Sequence, residues 1–327
     1  MARVQSEEGE LPVFCAYSPD MTDRRQLDPC VFGAALIASL IGTCPGAAEI
    51  CGRACDFIEA QRRRRNVWTY YKKRHGILAT PPDVDSTAMA TAALVACGRP
   101  RPDNLSAVLA NLDRQGMFLT WMFPTRGASK LRLPIRAWRH LLNLLRLPNY
   151  RALLKHTPWE AEDVSAGVNA NVLAAFAPFE GDERVVHRIL AIVREGREDS
   201  CDKYYDNPNL VRYFFSRALA GRCPEARELL LERMQAGPDL SPIDLALVIL
   251  VRVIWCAPLR PELIQRLIAA QDSSGAWPIA PLYCAGRKRT GYMQFAPTEP
   301  GWFRLGSEAI TTAFCVNALD AVTRGRA

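Results

Sequence analysis

The segment Pro82-Asp83-Val84-Asp85-Ser86-Thr87-Ala88 sets two carboxylates, a serine and a threonine at the head of an apolar stretch that continues MATAAL. Helical spacing puts Asp85 on one face with Ala88, Met89 and Ala92, at i+3, i+4 and i+7. A carboxyl so placed would look along an interior wall of small residues, a position from which acid–base chemistry can be done. Capping alone is the plain alternative, because Asp is among the favoured N-cap residues. Two aspartates together with Ser86 and Thr87 exceed what one cap needs.

A second pattern, Gln271-Asp-Ser-Ser-Gly275-Ala-Trp277, has the form QxxxGxW. It reads as structural: Gln271 would bond the open end of a neighbouring helix while Trp277 packs beneath a turn at Gly275. Other chemistries lack their residues. No GxSxG, Walker or GxGxxG signal occurs in a strand-turn-helix setting. The four histidines, His75, His140, His156 and His187, are scattered, and DDxxD, the magnesium–diphosphate motif, is absent.

The elements that must position these residues are helical throughout, and no run alternates long enough for a half-buried strand. Helices apolar all round are expected at roughly 29–42, 84–97, 166–178, 208–220, 242–256 and 307–322. Striped ones are expected at roughly 47–62, 103–114, 183–195, 224–235 and 260–271. The first kind belongs inside and the second faces water. Their alternation predicts one all-α domain over 1–327, an α/α barrel of about six inner and about six outer helices.

Inner helices share a start signal: Asp28-Pro29, Asn207-Pro208 and Ser241-Pro242 each set a capping side chain before proline at the first helical position. Asp83, Asp163 and Ser307 occupy comparable places, so these starts should gather at one mouth. The stretch 115–160 departs from the pattern and reads as an insertion or lid, with a basic amphipathic helix from Ile135 to Leu147.

With 327 residues, 49% hydrophobic and 23% charged, the chain has globular proportions and is neither collagen-like nor disordered. Net charge is +7, concentrated at Arg62 to Arg65, which reads first as a solvated helix end. The 11 cysteines form no CxxC pair, and no leader is visible, which points to reducing cytoplasm. The longest apolar stretches fall short of the roughly 20 residues of a membrane span, leaving contact with a membrane surface as the most that is expected. No nucleic-acid partner is expected.

PDVDSTAMATAAL resembles the catalytic segment of the squalene-hopene and class II terpene cyclases, and QDSSGAWP resembles their QW motif. VNANVLAAF, YYDNPNLVRYFFSRAL and GSEAITTAF are similar to helices of the wider prenyltransferase and squalene-cyclase repeat group. The likeness runs from about residue 66 to the C-terminus, covering 115–160 only in part. It implies an α/α barrel, matching the helix alternation, with Asp85 as general acid and Asp83 as the first carboxylate of DxDD. Ser86 stands where the third would be. Protein prenyltransferases of this group hold zinc with Asp, Cys and His. Asp199-Ser200-Cys201 has the first spacing, but no histidine follows His187, so no metal and no cofactor are expected.

The implied reaction is protonation-initiated cyclisation of an isoprenoid or meroterpenoid polyene at an alkene or epoxide. Ser86, Thr87, Asp163 and Asp206 would support the acid, since converging carboxylates keep one another protonated. Trp121, Phe123, Tyr204, Tyr205, Tyr213, Phe214, Trp255, Trp302 and Phe314 could offer ring faces to a carbocation. A diphosphate, if present, would meet Arg62–Arg65 or Arg287–Arg289. The chain is about half the length of the triterpene cyclases, so a second barrel chain or a homo-oligomer could complete the cavity. The competing reading is a non-catalytic barrel holding an apolar ligand or a partner protein, which a plugged or solvent-filled centre would favour.

Overall fold

The structure is a computed structural model that describes residues 1–73, 80–122, 160, 162–234, 237–297 and 302–325. Eleven α-helices lie among them: α1 Val31–Ile41, α2 Ala48–Ala60, α3 Val84–Ala96, α4 Leu105–Leu109, α5 Ala166–Phe176, α6 Asp182–Glu195, α7 Pro208–Leu219, α8 Ala226–Arg233, α9 Pro242–Ile254, α10 Pro261–Ala269 and α11 Glu308–Gly325. The odd-numbered helices are the apolar ones, and each packs against the next. Because α11 packs back on α1, the six close into a ring. Striped helices lie outside it: α2 on α1, α6 on α5, α8 on α7 and α10 on α9. No described helix is long and apolar enough to cross a membrane.

The outer layer has five described helices where about six were expected, and α4 has only five residues. Polar side chains at its ends tie it to neighbouring segments. Asn104 donates to Asn66 O and Thr91 Oγ1, and Asn111 donates to Leu119 O and Trp121 O. The chain then turns back, with Leu112 bridging Phe118. Residues 117–122, part of the stretch 115–160 read as an insertion or lid, are buried, Met117 and Phe118 fully. The rest of that stretch, 123–159, lies outside the described residues, as does Phe123.

Short strands were not foreseen. β1 Phe14–Ala16, β2 Gln26–Leu27, β3 Tyr283–Cys284 and β6 Arg304–Gly306 form an antiparallel sheet in the order β2-β1-β6-β3, and β4 Arg289–Gly291 pairs with β5 Gln294–Phe295. Two or three residues cannot display alternation.

Four of the expected starts hold. Asn207 accepts from the Asn209 and Leu210 amides, Ser241 from Asp244, Asp83 from Ser86 and Ser307 from Ile310. Asp28 and Asp163 do not cap. α1 begins after Cys30 and α5 after Ser165, which frees both carboxylates for side-chain partners.

The QW turn differs in detail from the expectation. Gln271 closes its own turn by donating to Gly275 O, with Gly275 at φ +84°, rather than bonding a neighbouring helix. The buried Trp277 indole N–H caps Leu267 O of α10, and its backbone N–H donates to Thr312. Trp68 repeats the arrangement: its indole N–H caps Ile58 O of α2 and its backbone N–H donates to Thr87. Thr87 is thus the counterpart of Thr312, a latch between an outer turn and an inner helix.

Candidate active site

A cavity opens where the inner helices begin. Its wall is drawn from the first turns of α1, α3 and α5 and from the segments leading into α7 and α11. Its empty space is about 810 Å³ when the open solvent at its mouth is included. Asp83, Asp85 and Ser86 line it together with Trp121, Tyr204 and Tyr205.

The segment before α3 is pinned by its backbone. Asp83 N–H donates to Trp68 O, Val84 N–H to Thr120 O and Met122 N–H to Pro82 O. Asp85 follows in the first helical turn. Its Oδ2 accepts from Tyr205 Oη at 2.5 Å and its Oδ1 from Asn171 Nδ2 at 3.0 Å. Burial pushes its pKa up to about 6, with the negative charge of Asp202 adding, while Tyr205, Asn171 and Arg217 oppose. Asp83 is pushed to about 7 by burial and by the Asp85 charge, against the Ser86 amide. Among the described residues its Oδ2 is buried without a partner, as is Ser86 Oγ.

The other support residues lie behind the wall. Asp163 Oδ1 meets Lys203 Nζ at 2.5 Å, both side chains fully buried, and Asp163 Oδ2 accepts from Tyr204 Oη at 3.0 Å and Trp121 Nε1 at 3.3 Å. Asp163 thereby holds two cavity rings rather than the acid. Asp206 pairs with Arg304 at 2.8 Å and does not reach the lining. Thr87 latches Trp68, as described. Tyr213, Phe214, Trp255 and Phe314 are core: Phe214 packs edge-on against Tyr205 at 5.0 Å, Tyr213 against Phe314 at 5.7 Å, and Trp255 donates to Ser216. Trp302 is half-buried and outside the lining.

Sequence reasoning missed Asn171, Asp202, Tyr70, Tyr283 and Phe32. Asn171 had a signal: an amide inside an otherwise apolar helix needs a buried partner. Asp202 had one too. Its Oδ1 accepts from the Tyr204 and Tyr205 amides, the Asx turn that Asp favours two residues ahead, and its Oδ2 accepts from Gly167 N–H. A Cβ at Gly167 would come within 2.9 Å of that oxygen. Tyr70 stacks with Phe32 at 6.2 Å, and Tyr283 packs edge-on against Phe32, Tyr70 and Tyr205. Neither basic cluster reaches the lining: Arg62 pairs with Glu59 at 3.1 Å and Arg289 with Glu160 at 3.5 Å.

Burial raises Asp28, also to about 6, as well as Asp83 and Asp85, all from 3.8. Between those values the folded protein holds more protons than the unfolded chain, so stability falls as pH rises from about 4 to about 7. Asp83→Asn keeps the oxygen that caps α3 but carries no charge. At pH 8 it should be about 2–4 kcal/mol more stable than the parent, and near pH 3.5 the two should match. Urea unfolding at both pH values checks this; equal gains at both would mean the ionised carboxylate costs nothing.

No protein-family model matches the sequence, and no curated protein matches it. Solved structures do. The type II terpene cyclase MstE from Scytonema, without ligand, superimposes with a TM-score of 0.67 at 18% identity, over 98% of this chain and 95% of that one. A variant of it in complex with geranylgeranyl dihydroxybenzoate, a substrate, gives 0.64 at 18% identity over 98% and 94%. An ent-copalyl diphosphate synthase from Streptomyces platensis gives 0.50 at 16% identity, over 89% of this chain and 50% of that one. The fold is the α/α barrel of the type II terpene cyclases. The likeness takes in the N-terminal 65 residues, where the sequence resemblance was silent.

Proposed function

We propose that the protein is a class II terpene-cyclase-like enzyme that protonates the terminal alkene or epoxide of an isoprenoid or meroterpenoid chain. The observation that carries the reading is the Asp85 carboxyl, buried in the wall of an aromatic cavity and held by Tyr205 and Asn171. Burial keeps its proton available near neutral pH, while two hydrogen bonds and the N-terminus of α3 stabilise the carboxylate that remains after transfer. Asp83, raised further, is mostly protonated below about pH 7 and there adds no second negative charge. Trp121, Tyr204 and Tyr205 present ring faces to the cyclising cation, each worth about 0.5–2 kcal/mol in a dry site.

MstE, similar in length to this chain, supports a reaction confined to one barrel. An aromatic cavity reaching Asp85 favours the enzyme over the binding module. The test is incubation with farnesyl, geranylgeranyl and longer polyprenyl substrates, including geranylgeranyl dihydroxybenzoate, in deuterated water. An initiating proton from a solvent-exchanged carboxyl leaves one deuterium on the former terminal alkene carbon, seen as a one-unit mass gain. Retention of intact substrates without turnover would instead support the module.

A further inference from the structure

Beside the same cavity, three oxygens away from any contact with Asp85 form a chain of their own. Tyr70 Oη donates to Asp28 Oδ2 at 2.6 Å, and Tyr70 Oη and Tyr283 Oη lie 2.9 Å apart. The only hydroxyl proton of Tyr70 is engaged by the carboxylate, so Tyr283 is the donor in the second bond. The order is Tyr283 to Tyr70 to Asp28. Tyr283 Oη has given its proton away and, among the described residues, accepts none, while its ring lines the cavity. Asp28 lies behind the two tyrosines and is not part of the lining.

From this polarity we infer that Tyr283, Tyr70 and Asp28 form the proton exit of the cyclisation, taking up the proton that the final carbocation releases. The inference rests on the function proposed above. In the step, a C–H bond beside the cationic carbon breaks and its electron pair becomes the new C=C bond. The proton goes to Tyr283 Oη as the Tyr283 proton passes to Tyr70 and the Tyr70 proton to Asp28, which ends neutral. No oxidant or co-reactant is needed. Asp85 faces the cavity directly and can donate to an alkene. Asp28 reaches the substrate only through phenols, which are far too weak as acids to do so but basic enough to deprotonate a carbocation.

The two carboxylates thus have separate tasks although each is bonded by a tyrosine, with Tyr205 and Tyr283 in ring contact between them at 6.3 Å. Charged and titratable groups around Asp28 are Glu10, which is paired with Lys72 at 2.6 Å, Cys15, Cys30, Tyr70, Tyr283 and Tyr71, whose side chain also hydrogen-bonds the carboxyl. Lys72 neutralises Glu10, leaving Asp28 as the acceptor next to the tyrosines.

The experiment compares products of the full-length parent, Tyr283→Phe and Asp28→Asn on the polyprenyl substrates above. The ratio of the parent's terminal product to all cyclised products is read by mass spectrometry, which is independent of overall rate. Each variant should lower that ratio about tenfold, in favour of water-quenched alcohols or differently placed double bonds. Tyr283→Phe keeps the ring that packs on Phe32, Tyr70 and Tyr205, and circular dichroism verifies that both variants fold. An unchanged ratio in both variants overturns the proton exit while leaving the cyclase standing. A parent that cyclises none of the substrates overturns the reading on which it rests.

Discussion

Asp85→Asn should lower cyclisation by about 10²- to 10⁴-fold, the usual contribution of a positioned general acid. The substitution is nearly isosteric. Its amide oxygen can accept from Asn171 and its NH2 group can face the Tyr205 oxygen, so the hydrogen bonds that fix residue 85 have replacements. What disappears is the transferable proton. The companion Asp83→Asn should cost much less, because a neutral amide resembles the protonated carboxyl that burial already favours there. Product formation by both variants, followed by mass spectrometry on the best substrate of the parent, separates donor from neighbour. Parent-like turnover by Asp85→Asn removes Asp85 from the mechanism.

The second large effect concerns stability. Lys203→Met strands the Asp163 carboxylate, fully buried, with Trp121, Tyr204 and the Glu160 amide as its donors among the described residues. Removing one partner of a buried pair typically costs about 3–5 kcal/mol, because the remaining charge has neither water nor counterion. Burial pushes the Lys203 ammonium down and the Asp163 carboxyl up, each against the attraction of the other. The double variant Lys203→Met, Asp163→Asn has no charge to strand and should recover most of the loss. Urea unfolding measures both. A single variant as stable as the parent would mean the two groups are buried uncharged.

How far the sequence revealed this arrangement depended on how regular each part is. The six inner helices were legible because a helix buried on all sides is apolar on all sides. Asp83 and Asp85 were legible because they stand at the head of one. The aromatic wall was only partly so: Trp121, Tyr204 and Tyr205 were found, but Tyr213, Phe214, Trp255 and Phe314 fill the core instead. Ring type alone does not say which way a side chain turns. Tyr283 sits in a two-residue strand and Tyr70 in an aperiodic segment, so neither carries a pattern. The Trp68 latch was hidden for a different reason. Its turn is made by Arg65 and Asn66 at φ 66° and 55°, so the copy lacks the glycine that marks Gly275.

The ring is also closed by the parts of the chain that are farthest apart. Arg324, at the end of α11, donates to Thr43 O just beyond α1, across 281 positions of sequence. Contacts of such high order are slow to form, since the entropy of closing the long loop must be met before they reward it. The seam between α1 and α11 is therefore expected to set late in folding. Until it sets, Asp83 and Asp85 are hydrated and ionised at neutral pH. Sealing the ring dries them and raises their proton affinity, so the last folding step is coupled to proton uptake. The acid of the chamber is loaded by the same event that shuts it.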